Sequence, residues 1–125
     1  MKNKVVLAVD DDVRIRESIA RLGNAAGWTV LTFPSGEALL ASSAIEGAHC
    51  VISDVRMPGM DGLELQRRLK AANPKLPVIL ITGRVDEQVR QRALREGALS
   101  FLYKPFDGEE LLREMQRAVE QRSET

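Results

Sequence analysis

The sequence predicts a single α/β domain built on a parallel sheet. Five short apolar runs alternate with stretches of helical spacing, and most of the runs lack polar alternation, as strands covered on both faces do. No Ser/Gly/Pro linker or charge block divides the 125 residues, so one domain accounts for the chain.

The elements follow in order. Val5–Val9 is the first predicted strand and runs into Asp10-Asp11-Asp12. Ile15, Ile19 and Leu22 then line one stripe of a first helix, which Gly27 is placed to stop. Val30–Phe33 is the second strand, and Ser35 is an N-cap for a second helix carrying Ala38 and Leu39. Cys50–Ile52 is the third and leads to Asp54. Leu65, Leu69 and Ala72 stripe the third helix, with Pro74 beyond its end. Val78–Ile81 is the fourth strand, ending in Thr82-Gly83, and Val85, Val89 and Ala93 stripe the fourth helix up to Gly97. Leu99–Tyr103 is the fifth strand, ending in Lys104-Pro105. Leu111, Met115 and Val119 stripe the last helix, and 121–125 read as a frayed tail or the start of a linker.

Composition narrows the function classes. With 44% hydrophobic and 29% charged residues the chain is too apolar for disorder, and its net charge of zero gives no global field for nucleic acid or anionic lipid. A single cysteine excludes an internal disulfide and a multi-thiolate zinc site. The apolar run after Lys4 stops at the aspartates, short of an export core of roughly 7–15 residues, and nothing approaches the ~20 residues of a membrane span. The expectation is a cytoplasmic protein.

Parallel α/β sheets bind ligands beyond the carboxyl ends of their strands. At those ends stand Asp10-Asp11-Asp12, Asp54, Thr82 and Lys104. Each has an ordinary reading alone: Asp11 or Asp12 as a helix cap, Asp54 as a turn residue, Thr82 as a commonplace threonine after a strand, Lys104 as a solvated lysine before a turn. Together they describe clustered carboxylates that repel one another unless a cation joins them. Hard oxygen donors suit Mg²⁺ (or Mn²⁺). A cation, an ammonium and a hydroxyl around one carboxylate suit stabilisation of a transferring phosphoryl group, with the carboxylate as nucleophile.

At these residues the chain resembles the receiver domain of bacterial two-component response regulators, from about Val5 to Val119. The resemblance rests on Val9-Asp10-Asp11, on Asp54-Val55-Arg56-Met57-Pro58-Gly59-Met60-Asp61-Gly62, on Ile81-Thr82-Gly83 and on Lys104-Pro105-Phe106. The Asp-x-Arg-Met-Pro and Ile-Thr-Gly pieces look most like the subgroup with the nitrogen-fixation regulators, which carry a helix-turn-helix output domain. It implies a flavodoxin-like (βα)5 sandwich with strand order 2-1-3-4-5. It also implies Asp54 as phosphoacceptor from a histidine kinase or phosphotransfer protein. The implied Mg²⁺ ligands are Asp10, Asp11, Asp54 and the Arg56 carbonyl. Lys104 becomes the phosphoryl-binding lysine, Thr82 the switch hydroxyl and Phe101 the aromatic that follows it, with a cis Lys104–Pro105 bond. The fourth helix, fifth strand and fifth helix become a face for a homodimer or an output domain. The result is a signalling switch, not an enzyme, with no direct nucleic-acid binding by this segment and no membrane contact.

In the family, the residues two beyond the phosphoacceptor and two beyond the switch hydroxyl influence how fast water removes the phosphate. Both are arginine here, Arg56 and Arg84, and a guanidinium cannot accept a proton from water. The alternative is that both point into solvent. His49 and Cys50 read as structural, and Trp28, Phe33 and Tyr103 as packing residues. Met57 and Met60 read as loop residues that touch the partner kinase. Arg90, Arg92 and Arg95 read as either a partner surface or a solvated face.

Three competing functions remain. A receiver acting alone through protein contacts shares every site residue with one that drives an output domain. A Mg²⁺-dependent phosphohydrolase of the haloacid dehalogenase type needs its nucleophile after the first strand in an Asp-x-Asp-x-Thr/Val pattern, which Asp10-Asp11-Asp12-Val13-Arg14 fails at the last position. Flavin capture is disfavoured by an acidic first loop, which repels phosphate.

Overall fold

The structure, a computed structural model, describes residues 4–123. Five parallel strands, β1 (Val5–Val9), β2 (Thr29–Phe33), β3 (Cys50–Asp54), β4 (Val78–Thr82) and β5 (Ser100–Tyr103), pair in the order β2-β1-β3-β4-β5. Five helices connect or follow them: α1 (Val13–Ala25), α2 (Gly36–Leu40), α3 (Gly62–Ala72), α4 (Glu87–Arg95) and α5 (Gly108–Ser123). A short 3₁₀ turn, Ala44–Gly47, precedes β3.

Alternate strand residues feed two cores, because successive side chains leave opposite faces of a strand. Leu7, Val9, Val51, Val78 and Leu80 pack with Leu39 of α2, Leu63, Leu65 and Leu69 of α3 and Ala93 of α4. Val6, Ala8, Cys50, Ile52, Ile79 and Ile81 pack with Ile19 of α1 and Leu111, Met115, Ala118 and Val119 of α5. Each fully buried Val, Leu or Ile contributes ~1.5–3 kcal/mol of transfer free energy. The central strands β3 and β4 are buried at every position, which explains their unbroken apolar runs.

Several expectations shift. β3 and β4 each extend to include the polar residue at their end, with Asp54 opposite Ile81 and Thr82 opposite Tyr103. Both groups therefore have strand geometry behind them. Val85 is not on the stripe of α4: it is 79% exposed, and the helix begins after Asp86, whose carboxylate accepts from Gln88 N and Val89 N. Side-chain capping overrides apolar periodicity there. On α3 the buried face is set by Leu63, Leu65, Gln66 and Leu69, while Ala72 is exposed. Gln121–Ser123 continue α5 instead of forming a tail; the last two residues of that expected tail lie outside the described residues.

Gly27 and Gly97, at φ +89° and +108°, end α1 and α4 as expected, and Ser35 caps α2 by accepting from Ala38 N.

Candidate functional site

Strand order reverses between β1 and β3, and the crevice at such a switch point is where α/β sheets bind ligands. Asp10 follows β1 and is fully buried; its Oδ1 accepts from Asp12 N at 2.8 Å. Asp12 caps α1 by accepting from Arg14 N at 2.9 Å. Capping thus falls to Asp12, and Asp11 stays exposed beside the buried pair. One carboxylate oxygen from each of Asp10, Asp11 and Asp54 lies within 4.8 Å of the others.

Lys104 reaches this cluster from the end of β5. Its Nζ lies 3.0 Å from Asp10 Oδ2 and 3.5 Å from Asp54 Oδ2. The Lys104–Pro105 peptide is cis. Desolvation disfavours the Lys104 charge, yet its hydrogen bond to Asp10 and the charges of Asp10 and Asp54 together hold its pKa above the ordinary value. Asp54 is 6% exposed, and burial first, then the Asp10 charge, pushes its carboxyl pKa up against the pull of Lys104. The cluster carries more negative charge than one ammonium offsets, and all its acidic donors are oxygens. That donor set fits a divalent hard cation.

Thr82, 2% exposed, closes the end of β4, and its Oγ1 accepts from Arg84 N at 3.2 Å. Phe101 is 9% exposed on β5 and packs edge-to-face on Tyr103, with centroids 5.6 Å apart. Gly62, the first residue of α3, packs so tightly on the end of β3 that a Cβ there would strike the Asp54 main-chain oxygen. Its N–H donates to Val55 O at 2.8 Å.

Other expectations are resolved residue by residue. Arg56 does not simply enter solvent: its guanidinium lies 3.8 Å from the Asp86 carboxylate. The Arg84 side chain is exposed. Met57 is largely buried against the core of the α2–α3–α4 face, and Met60 packs against the same core. Trp28, Phe33 and Tyr103 pack as expected. His49 Nδ1 accepts from Val5 N at 3.1 Å, a structural contact. Cys50 is buried and its thiol is pushed up to about 12 by desolvation, which keeps it inert. Arg90 and Arg92 pair along or beyond α4 with Glu87 and Glu96.

Two residues at this end of the sheet went unread in the sequence. Asp86 before Glu87 carried a capping signal, but its pairing with Arg56 is non-local. Glu37, in the first turn of α2, accepts from Met60 N at 3.1 Å, and no local pattern announces that contact.

An open sheet in flavodoxin-like order, with an acidic pocket and one lysine at its switch point, defines a doubly wound α/β protein. A family model described as the response regulator receiver domain matches residues 6–116, and the chain belongs to that family. It is 42% identical over 117 residues to the C4-dicarboxylate transport transcriptional regulatory protein DctD of Rhizobium meliloti, covering 94% of this chain and 25% of DctD. It is 37% identical over 116 residues to the transcriptional regulatory protein FixJ of Bradyrhizobium diazoefficiens, covering 93% of this chain and 57% of FixJ. The chain therefore spans about a quarter of the former and little more than half of the latter. Among solved structures, the BeF3-activated DrrB receiver domain superposes with a TM-score of 0.88 at 31% identity, covering 95% of this chain and 99% of that one. Vibrio cholerae chemotaxis protein CheY4 gives 0.85 at 32% identity, covering 94% and 99%. The chain is thus a receiver domain of the two-component response regulators. Among the described residues no helix is long and apolar enough to cross a membrane.

Proposed function

We propose that this receiver takes a phosphoryl group onto Asp54 and uses it as a conformational signal. The observation that carries the reading is the meeting of buried Asp54 with Asp10, Asp11 and Lys104 at the switch point. A carboxylate oxygen of Asp54 attacks the phosphorus of a partner's phosphohistidine. The P–N bond breaks with its electron pair returning to the imidazole, and an acyl phosphate forms. Lys104 is held charged by its two carboxylates, so it is already in place to bind a phosphoryl oxygen. Asp10, Asp11, Asp54 and the Arg56 carbonyl would hold Mg²⁺ (or Mn²⁺), which when bound offsets the charge of the phosphoryl oxygens.

The phosphorylated side chain carries ~1.5–2 negative charges where the Asp54 carboxylate carried one. The Thr82 hydroxyl then exchanges its contact with Arg84 N for the phosphoryl group, and Phe101 follows into the space it leaves. The face of α4, β5 and α5 is repopulated as a result, for a homodimer or an output domain. The donor is a histidine kinase or phosphotransfer protein, the setting is the cytoplasm, and the role is that of a switch whose turnover is its own dephosphorylation. Similarity to DctD and FixJ, transcriptional regulators longer than this chain, supports control of transcription through an output domain.

Incubation with acetyl phosphate and Mg²⁺, read by intact mass, tests the reading. Wild type should gain one phosphoryl group; Asp54→Asn, or wild type with EDTA, should gain none. Labelling of Asp54→Asn equal to wild type would overturn it.

A further inference from the structure

The loop between β3 and α3 is gripped by a carboxylate that lies outside the acidic pocket. Glu37 is in the first turn of α2, where Ser35 already provides the cap by accepting from Ala38 N. Glu37 instead reaches across to the loop, and its Oε2 accepts from Met60 N at 3.1 Å, 23 residues away. Gly59, the residue before, adopts φ +77°, and a Cβ there would stand 2.6 Å from the same Oε2. The loop thus has a left-handed residue without a side chain where the carboxylate rests, and an amide pointed at it. Gly36 completes the fit, since a Cβ on it would come within 3.1 Å of Met60 Sδ. Hydrogen bonds from its own amide and from Met60 hold the Glu37 carboxyl below the usual range, so it stays an ionised acceptor.

The segment it holds begins at Arg56, whose carbonyl belongs to the metal site on the reading given above. We infer that Glu37 is a positioning residue that sets the β3–α3 loop, and through it the Arg56 carbonyl, for divalent-cation binding. The Arg56 side chain also ties the loop to Asp86, and the Met60 side chain packs against the core, whereas Glu37 holds the Met60 main-chain amide itself. Groups that orient metal ligands from behind typically alter affinity by 10–100-fold when removed.

Calorimetric titration of MgCl₂ into the unphosphorylated chain tests this with wild type, Glu37→Ala and Glu37→Gln. Amide exchange at Met60 is followed in the metal-free proteins. Glu37→Ala should weaken Mg²⁺ binding by about tenfold, the low end of that range, and should speed Met60 exchange. Glu37→Gln keeps an acceptor oxygen and should restore both. Wild-type affinity in Glu37→Ala would overturn the inference whatever happens to its melting temperature, and so would a loss in Glu37→Gln equal to that in Glu37→Ala. Failure of wild type itself to bind Mg²⁺ would instead overturn the metal-site reading on which the inference rests.

Discussion

Arg56 and Asp86 form an ion pair at 3.8 Å that joins the loop after β3 to the N-terminus of α4. Asp86 also caps that helix through Gln88 N and Val89 N. Both side chains are partly exposed, and such a pair contributes only ~0–1 kcal/mol to stability. Its consequence is positional: it holds the guanidinium two residues past Asp54, where a group that could accept a proton from attacking water is then missing.

Self-dephosphorylation should therefore be slow. Replacing Arg56 by Asn and Arg84 by Glu together should shorten the phosphoryl half-life by about tenfold, less than the ~100-fold of a fully positioned acid–base group because both sites are exposed. Half-lives measured after removal of phosphodonor decide the matter. Equal values, or a longer one in the double variant, would count against this role for the arginines.

Burial and the Asp10 charge raise the Asp54 pKa in the folded protein. The folded state then holds a proton more tightly than the unfolded chain, so ionised Asp54 destabilises the fold, and that penalty is present above its raised folded pKa. It disappears as pH falls through that pKa toward the unfolded value. In EDTA at pH 7, Asp54→Asn should melt a few degrees higher than wild type, with the gap closing in acid. A lower melting temperature for Asp54→Asn at pH 7 would contradict the sign.

Gly62 has no room for a side chain against the Asp54 carbonyl and Val55 Cα, the latter 2.9 Å from a built Cβ. Gly62→Ala should cost ~1–3 kcal/mol as overpacking and should slow labelling by acetyl phosphate, because relief requires the end of β3 or the start of α3 to move. Denaturant unfolding and labelling rates both unchanged would show that the contact relaxes elsewhere.

Gln66 is fully buried on α3; its Nε2 donates to Ala93 O at 3.0 Å while its Oε1 has no partner. Ala93 O also accepts from Ala98 N, so it stays satisfied without Gln66. Gln66→Leu should leave stability unchanged or raise it by ~1 kcal/mol, since a buried unpaired oxygen is removed at similar volume. A loss above ~1 kcal/mol in urea unfolding would mean that the amide contributes more than its one hydrogen bond.

What the sequence made legible was local. Asp10, Asp11, Asp54, Thr82 and Lys104 each punctuate an apolar run, so parallel pairing brings most of them to one edge without further information. The Ser35 cap and the stops at Gly27 and Gly97 were equally local. Val85 was misplaced because apolar spacing and an Asp86 cap compete over three residues, and only the exposed environment decides. Met57 lies in the loop after Asp54 as expected, but its burial is set by neighbours far along the chain, which no local pattern encodes. The contacts of Arg56 with Asp86, Glu37 with Met60 and Gln66 with Ala93 each join different elements, and no period or motif encodes them.

The most direct test is the chemical location of the phosphoryl group. After labelling with acetyl phosphate and Mg²⁺, borohydride reduction converts an aspartyl phosphate to homoserine, and peptide mass spectrometry finds the position. Conversion at residue 54, abolished by Asp54→Ala, is the expected result. Conversion at Asp10, as a hydrolase nucleophile would give, or labelling that survives Asp54→Ala, would contradict it.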